Sequence, residues 1–205
     1  MKIQFVRFGG WSAIIVGVLS LLYALFYLVI ARQAEYAGNL GSWVILAVSG
    51  VFSSAAYVAL YQILKTKGGG LELWALVLGA VASLATLQHG TYEALLVRTM
   101  RFADGPTREA IDTARRLFSE VDPAGLSAFL LIGITTFLFS WLILRSGDLP
   151  AGLGYLGILN AVLLAVLFIA SANTMRTLIL ISGGLTSVVV GPAWWIWLGV
   201  SMQKT

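Results

Sequence analysis

The chain has no cysteine, one histidine and four prolines among its 205 residues. Without thiols, disulfides, thiolate metal sites and cysteine nucleophiles are all excluded. A single imidazole also excludes a bis-histidine haem. Charge is scarce: 11% of residues are Asp, Glu, Lys or Arg, against roughly 25% in an ordinary soluble domain. The 13 Lys and Arg against 9 Asp and Glu leave a formal charge of +4. These cations are scattered over the ends of apolar runs and form no patch, which argues against a nucleic-acid partner and marks them as topology signals and headgroup contacts.

What the chain has in abundance is apolar surface: 59% of residues are hydrophobic and the mean hydropathy is +0.91. Crossing a hydrocarbon core of roughly 30 Å takes about 20 apolar residues in a helix. Six runs qualify, at about 11–31, 43–64, 72–96, 126–144, 150–172 and 178–200. They are continuously apolar and do not alternate, so the need to satisfy every backbone group internally selects helices over a barrel. The expected fold class is all-α: one integral membrane domain over 1–205, a polytopic bundle of six transmembrane helices. The first run follows Lys2 and Arg7 as a signal peptide would, but it is longer than the usual signal core. "ARQAEYAG" is also a poor cleavage site, so the run is expected to stay. Trp11, Trp43 and Trp74 open spans, while Trp141, Trp194, Trp195 and Trp197 close them, as interfacial anchors would. Loop cations favour a cytoplasmic amino terminus once the arginines interleaved with acids between the third and fourth spans are discounted.

Those arginines belong to "DGPTREAIDTARRLFSEVDP", residues 104–123. Pro106 suits a first helical turn and Pro123 a stop. Ala110, Ile111, Ala114, Leu117, Phe118 and Val121 recur at helical spacing, opposite Arg108, Glu109, Asp112, Arg115 and Arg116. The pattern predicts an amphipathic surface helix over about 106–121, lying on the membrane or capping the bundle.

Inside lipid, helices associate through small residues and polar contacts. Candidate stripes are Ala13 and Gly17, Ser49 and Ser53, and Gly183, Ser187 and Gly191; Pro192 should loosen the last span. In the third span Gly79, Ala82, Thr86, His89 and Glu93 follow 3-4-3-4 spacing and share one seam. His89 is the sole histidine and Glu93 the sole acid within a long apolar run. Their partners, judged by depth, are Asn160 and Thr135 or Thr136. Ionisable groups within a span default to a functional hypothesis, here ligand or proton handling by His89, Glu93, Thr86 and Asn160. The plainer reading is a wetted interfacial pair or a structural hydrogen bond. H-x-x-x-E places two metal-capable groups on one face, but a catalytic zinc takes three protein ligands, and no metal is expected.

Two further patterns carry no chemistry by themselves. "GLGYLG", with Gly152, Gly154 and Gly157, formally matches a dinucleotide fingerprint, yet it follows Pro150 at the start of a span where no strand precedes it. Retinal needs a lysine inside the bundle, and Lys2, Lys65, Lys67 and Lys204 all lie outside or at an edge.

In "WLILRSGDLPAGLGYLGIL", residues 141–159, a helix ends in Arg145, then come Ser146, Gly147, Leu149 and Pro150, and the next helix opens with Leu153 and Gly154. This stretch, with the closing "GPAWWIWLGVSM", resembles a bacterial family of six-span integral membrane proteins classed as a domain of unknown function. The match lies mainly in residues 126–205. The resemblance implies six helices and a bacterial inner membrane, and brings no catalytic residues. Independently of the family, Arg145 sits where it can snorkel to phosphates, Gly147 permits a reversal and Pro150 presets the next helix.

Three functions follow as expectations. The first is a non-enzymatic accessory subunit or binder of a small lipophilic ligand. It would be surrounded by membrane lipids and able to meet a membrane protein partner or a second copy of itself, and it would use no cofactor beyond a lipid or hydrophobic ligand. The second is a small secondary transporter using Glu93, His89 and Asn160. The third is an intramembrane enzyme with His89 and Glu93 as acid and base.

Overall fold

The computed structural model describes residues 2–65, 69–116 and 126–205. Seven helices account for nearly all of them, and no strand occurs among the described residues. Helix α1 runs Lys2–Leu25 and continues through a π-helical stretch, Phe26–Ile30, into a last turn, Ala31–Gln33. Helices α2 (Glu35–Leu64) and α3 (Leu71–Phe102) follow, then the short α4 (Gly105–Arg116). Helices α5 (Leu126–Ser146) and α6 (Ala151–Ala172) lead to α7, which begins as Arg176–Gly184, widens to a π-helix over Leu185–Val190 and ends as Gly191–Met202. Six of these helices are long and apolar enough to cross a membrane. This is an integral membrane protein.

The helices run past the expected spans: the first begins at Lys2 rather than near residue 11, and α3 continues to Phe102 rather than 96. Hydropathy marks the part of a helix that lies in hydrocarbon, whereas the backbone ladder persists into the headgroup region, where water competes for it only at the ends.

Each spanning helix packs on its neighbour in sequence, in the order α1, α2, α3, α5, α6, α7, and α7 returns to α1, so the six form a closed ring. The turns are short. Ala34 alone separates α1 from α2, and Gly38 lets the hairpin close, since a methyl there would strike the Ala31 backbone. At the start of α3 the Gly70 N–H donates to the Glu72 carboxylate (3.1 Å), which places an anion at the positive end of the helix. Between α5 and α6, Gly147 takes φ +72° and the Asp148 N–H donates to Ser146 Oγ (3.2 Å). The reversal read from Arg145 to Pro150 is there, with Arg145 exposed.

The part of the expected surface helix that is described forms α4. Asp104 Oδ1 accepts the Thr107 N–H (2.9 Å) as an N-cap. Arg108 folds back on α3, donating to Met100 O (3.0 Å) and Arg101 O (3.5 Å), two of the carbonyls left open at that helix end. Leu117, Phe118, Val121 and Pro123 lie outside the described residues.

Small residues let helices approach closely, as expected for Gly17 and Ser53, whereas a methyl on Gly183 of the last stripe would meet only Leu167 at 3.5 Å. Gly17 lies against Ile196 and the Pro192 carbonyl, Gly50 against the α3 backbone at Ser83 and Leu87, and Gly90 against Trp43 and Ala47. Ser53 and Ser83 hydrogen-bond across α2 and α3 (2.9 Å). The glycines of "GLGYLG" serve the same purpose: Gly152 meets Trp197, Gly154 meets Leu144, and Gly157 meets Ser140 and Trp194.

The tryptophans divide. Trp11 (60% exposed), Trp74 (55%), Trp141 and Trp197 face outward, where an anchor would have to be. Trp194 and Trp195 do not, which corrects their reading as interfacial anchors. Both are buried (0% and 7% exposed) and stack edge to face at 4.8 Å. Adjacent helical residues point about 100° apart, so a run of tryptophans near a helix end cannot all face lipid. This pair turns inward onto Tyr57, whose ring stacks on Phe139 at 5.6 Å and meets Trp195 at 5.4 Å. Trp43 is half-buried and joins a separate aromatic group.

Candidate functional site

Two polar regions occupy the ring, at different depths. The first is the one the third span announces. Its seam is on the packed side: Gly79, Ala82, Thr86 and Glu93 are buried and His89 is half-buried. Thr86 returns its hydroxyl to Ala82 O (2.8 Å), the usual way a threonine satisfies itself within a helix. His89 meets the edge of Trp43 at 5.4 Å, and Trp43 in turn packs on Tyr23 (6.1 Å) and Tyr27 (6.0 Å), which stack on each other. Glu93 lies within electrostatic reach of Tyr23. This corner of α1, α2 and α3 therefore gathers four aromatic rings, counting the imidazole, and one carboxylate.

Depth explains its character. Nineteen residues separate Trp74, near the start of α3, from Glu93 and cover about 29 Å at 1.5 Å per residue, close to the full hydrocarbon thickness. Glu93 therefore lies toward the far end of the span. It is only 6% exposed, however, and packed rather than wetted.

Of the partners expected from depth, Thr135 does touch this seam, but at Gly79, ten residues before His89. Thr135, Thr136 and Asn160 belong to a second region, nearer mid-bilayer, among α2, α5, α6 and α7. There six buried side-chain atoms have no hydrogen-bond partner among the described residues: the hydroxyls of Tyr57, Thr135, Ser140 and Thr186, Asn160 Oδ1 and Trp194 Nε1. They line facing sides of these helices as a band. The Tyr57 ring and the Thr135 methyl both crowd Gly79, and the Tyr57 hydroxyl, the least isolated of the six, comes near enough to Thr136 to interact with it although the geometry falls short of a full hydrogen bond. Ser140 Oγ and Trp194 Nε1 converge on Gly157, and Asn160 Oδ1 lies 3.6 Å from where a methyl on Gly191 would sit. The band ends at Thr186, in the π-helical turn.

This geometry has a local cause. Pro192 has no N–H to continue the helical ladder, and the turn before it widens so that the Gly191 N–H reaches Thr186 O, five residues back. The widened turn faces Asn160. Since Gly157 and Asn160 share one face of α6, and Gly191 and Trp194 one face of α7, the two helices present alternating glycine and polar side chains to each other. Glycine allows the approach, and the polar atoms fill the seam it leaves.

Burying an amide or hydroxyl without a partner costs about 1–3 kcal/mol by mutational measures, and nearly all buried polar groups in proteins are satisfied. Six in one band is therefore a feature that calls for a cause. Of the sequence candidates, Asn160 and Thr135, both named as depth partners of His89 and Glu93, fall in it, and so does Trp194, which the sequence marked as an interfacial anchor. Tyr57, Ser140 and Thr186 gave no signal, since a hydroxyl within an apolar run reads as a helix-packing residue. The pairing of Gly157 with Asn160 at i, i+3, opposite Gly191 with Trp194 at i, i+3, is the pattern that would have found them. Among the described residues no three metal-ligating side chains gather.

Comparison of the chain with family models, with curated proteins and with solved structures finds no match. The site therefore rests on its own geometry.

Proposed function

We propose that this protein is a non-enzymatic membrane protein that binds a small lipophilic ligand within its helical ring. In this reading it resides in a bacterial inner membrane with its amino terminus in the cytoplasm, surrounded by lipid and able to associate with a membrane partner or a second copy. One observation carries the reading: the six unpartnered polar atoms buried among α2, α5, α6 and α7. Polar groups that cost stability in the empty bundle become favourable once a ligand pairs with them, so a cluster of them suits a binding site. All six belong to side chains that are neutral at physiological pH, which suits holding a ligand better than acid–base chemistry. The inner-membrane assignment is supported by the resemblance of residues 141–159, and the orientation by the loop cations.

The transport reading draws on Glu93, His89 and Asn160 together. It is less favoured, because Asn160 sits in the α6–α7 seam whereas His89 and Glu93 sit on the α1–α2–α3 corner.

The test removes the polar atoms while keeping shape. Thr135→Val and Ser140→Ala should each raise ligand-free thermal stability by about 1 kcal/mol and together reduce the lipophile recovered by organic extraction of the purified protein. Lower stability in both variants would mean that these hydroxyls are satisfied in the membrane, and the proposal would fall.

A further inference from the structure

The α6–α7 seam specifies more than a greasy ligand. Trp194 Nε1–H can only donate a hydrogen bond, and Asn160 Oδ1 can only accept one. Both residues are almost wholly buried, and neither atom has a partner. They project from facing helices: Trp194 Nε1 lies at Gly157 on α6 and Asn160 Oδ1 lies toward Gly191 on α7. Each glycine is three residues from the polar side chain of its own helix, an offset of about 4.5 Å along the helix axis, so the two orphan atoms belong to neighbouring levels of one seam.

We infer that this seam binds the hydroxyl end of a neutral long-chain alcohol, with Trp194 donating to its oxygen and Asn160 accepting its proton. The inference rests on the ligand-binding reading above and names the chemistry of the ligand. A hydroxyl is the smallest group that both accepts and donates, so it satisfies the two one-way atoms at once. An ether or ketone accepts only and leaves Asn160 unmatched. An ammonium donates only, leaves the indole unmatched and brings a charge to mid-bilayer, where it costs a few kcal/mol. A carboxylate fails for the converse reason. The Ser140 hydroxyl, beside the indole, can serve in either direction and completes the set.

The fold also supplies a way to open the seam. The six atoms have no solvent contact, so a ligand enters only when α7 shifts from α6. The π-helical stretch Leu185–Val190, which ends two residues before Pro192, is the part of α7 whose backbone departs from α-helical geometry. Thr186, the last of the unpartnered groups, sits in that stretch and is exposed to new partners whenever it moves.

The experiment uses the full chain in phosphatidylethanolamine–phosphatidylglycerol nanodiscs and a diazirine-bearing hexadecan-1-ol as probe. Its methyl ether, equally apolar but unable to donate, is the control, and photolabelled sites are mapped by mass spectrometry. The alcohol should label residues 157–160 or 186–194 about fivefold more than the ether, the factor expected from one hydrogen bond. Asn160→Leu and Trp194→Phe should each bring alcohol labelling down to the ether level. Trp194→Phe preserves the ring that packs on Trp195, so this arm holds even where Asn160→Leu fails to fold. Equal interior labelling by both probes would overturn hydroxyl recognition and leave ligand binding standing. Labelling confined to lipid-facing residues would overturn the inference, and the stability of Thr135→Val and Ser140→Ala would then decide the broader reading by itself.

Discussion

At the end of the bundle that carries both chain termini, the interior is filled by Tyr57, Leu60, Leu64, Phe139, Ile143, Leu153, Trp194 and Leu198. At the opposite end the buried positions are Gly38, Ser42, Ala47, Ala94, Ala128, Ser182 and the carboxylate of Glu93. The first end is held by interlocking large side chains, the second by helices lying close together on small ones. Within lipid, expulsion of water favours neither arrangement, and both work through contact density. They differ in tolerance. A large side chain removed leaves a void, whereas a small one enlarged forces helices apart, and the unpartnered polar band begins inside the large-residue end, at Tyr57 and Trp194.

Four perturbations sharpen that contrast. Phe139→Ala, in the large-residue half, should cost about 3–5 kcal/mol in thermal unfolding of the detergent-solubilised protein. Trp43→Ala, in the other half, should cost roughly half as much because Trp43 is already partly exposed. Equal losses would erase the distinction. Next in size, Gly157→Ala should destabilise by about 1–3 kcal/mol, since the added methyl would collide with the Ser140 hydroxyl and the Trp194 N–H. The double variant Gly157→Ala, Ser140→Ala should recover part of that loss, and strict additivity would show that the two sites do not meet. Ser83→Ala, which breaks the Ser53–Ser83 bond across α2 and α3, should cost only about 0.6 kcal/mol, the typical worth of an interhelical hydrogen bond in a membrane.

The smallest effect concerns α4. Asp104 holds its carboxyl below the usual carboxylate range because it accepts hydrogen bonds from the Thr107 side chain and backbone. A depressed acid contributes while ionised, so the cap is complete above the ordinary carboxylate pKa and is lost as pH falls through the lowered one. The protection of amides 105–116, taken as the exchange rate relative to an unstructured peptide at the same pH, should therefore fall in acid in the native protein. Asp104→Ala should show the lower protection at every pH, and a native helix equally protected at pH 7 and pH 3 would contradict the cap.

The number of spans and the packed side of α3 were legible because both follow from period and hydropathy, which are local. Gly79, Ala82, Thr86, His89 and Glu93 could be assigned to one seam from spacing alone. Which neighbour the seam meets was not legible. His89 was matched by depth with Asn160 and Thr135, but depth leaves the angle around the ring free, and ring order gives it Trp43 of α2. Trp194 and Trp195 were misplaced for a related reason, since position near a span end says nothing about which way a ring turns. Pro192 did announce a disturbance in α7, and the widened turn stands just before it. Its consequence for Asn160 depended on a contact between two helices.

The ring closes where α1 meets α7. Gly10 and Gly199 touch backbone to backbone there, and Gln203 Nε2 donates to Arg7 O at 2.8 Å. A ribosome adding about 5–20 residues per second needs roughly 10–40 s to travel from one glycine to the other. Throughout that interval the face of α1 bearing Gly10, Ala13 and Gly17 waits in the bilayer, unoccupied by its final neighbour. Any helix of another nascent chain with a small-residue stripe has that long to pair with it first, so the slowest moment of assembly is also the one at which a wrong partner is easiest to find.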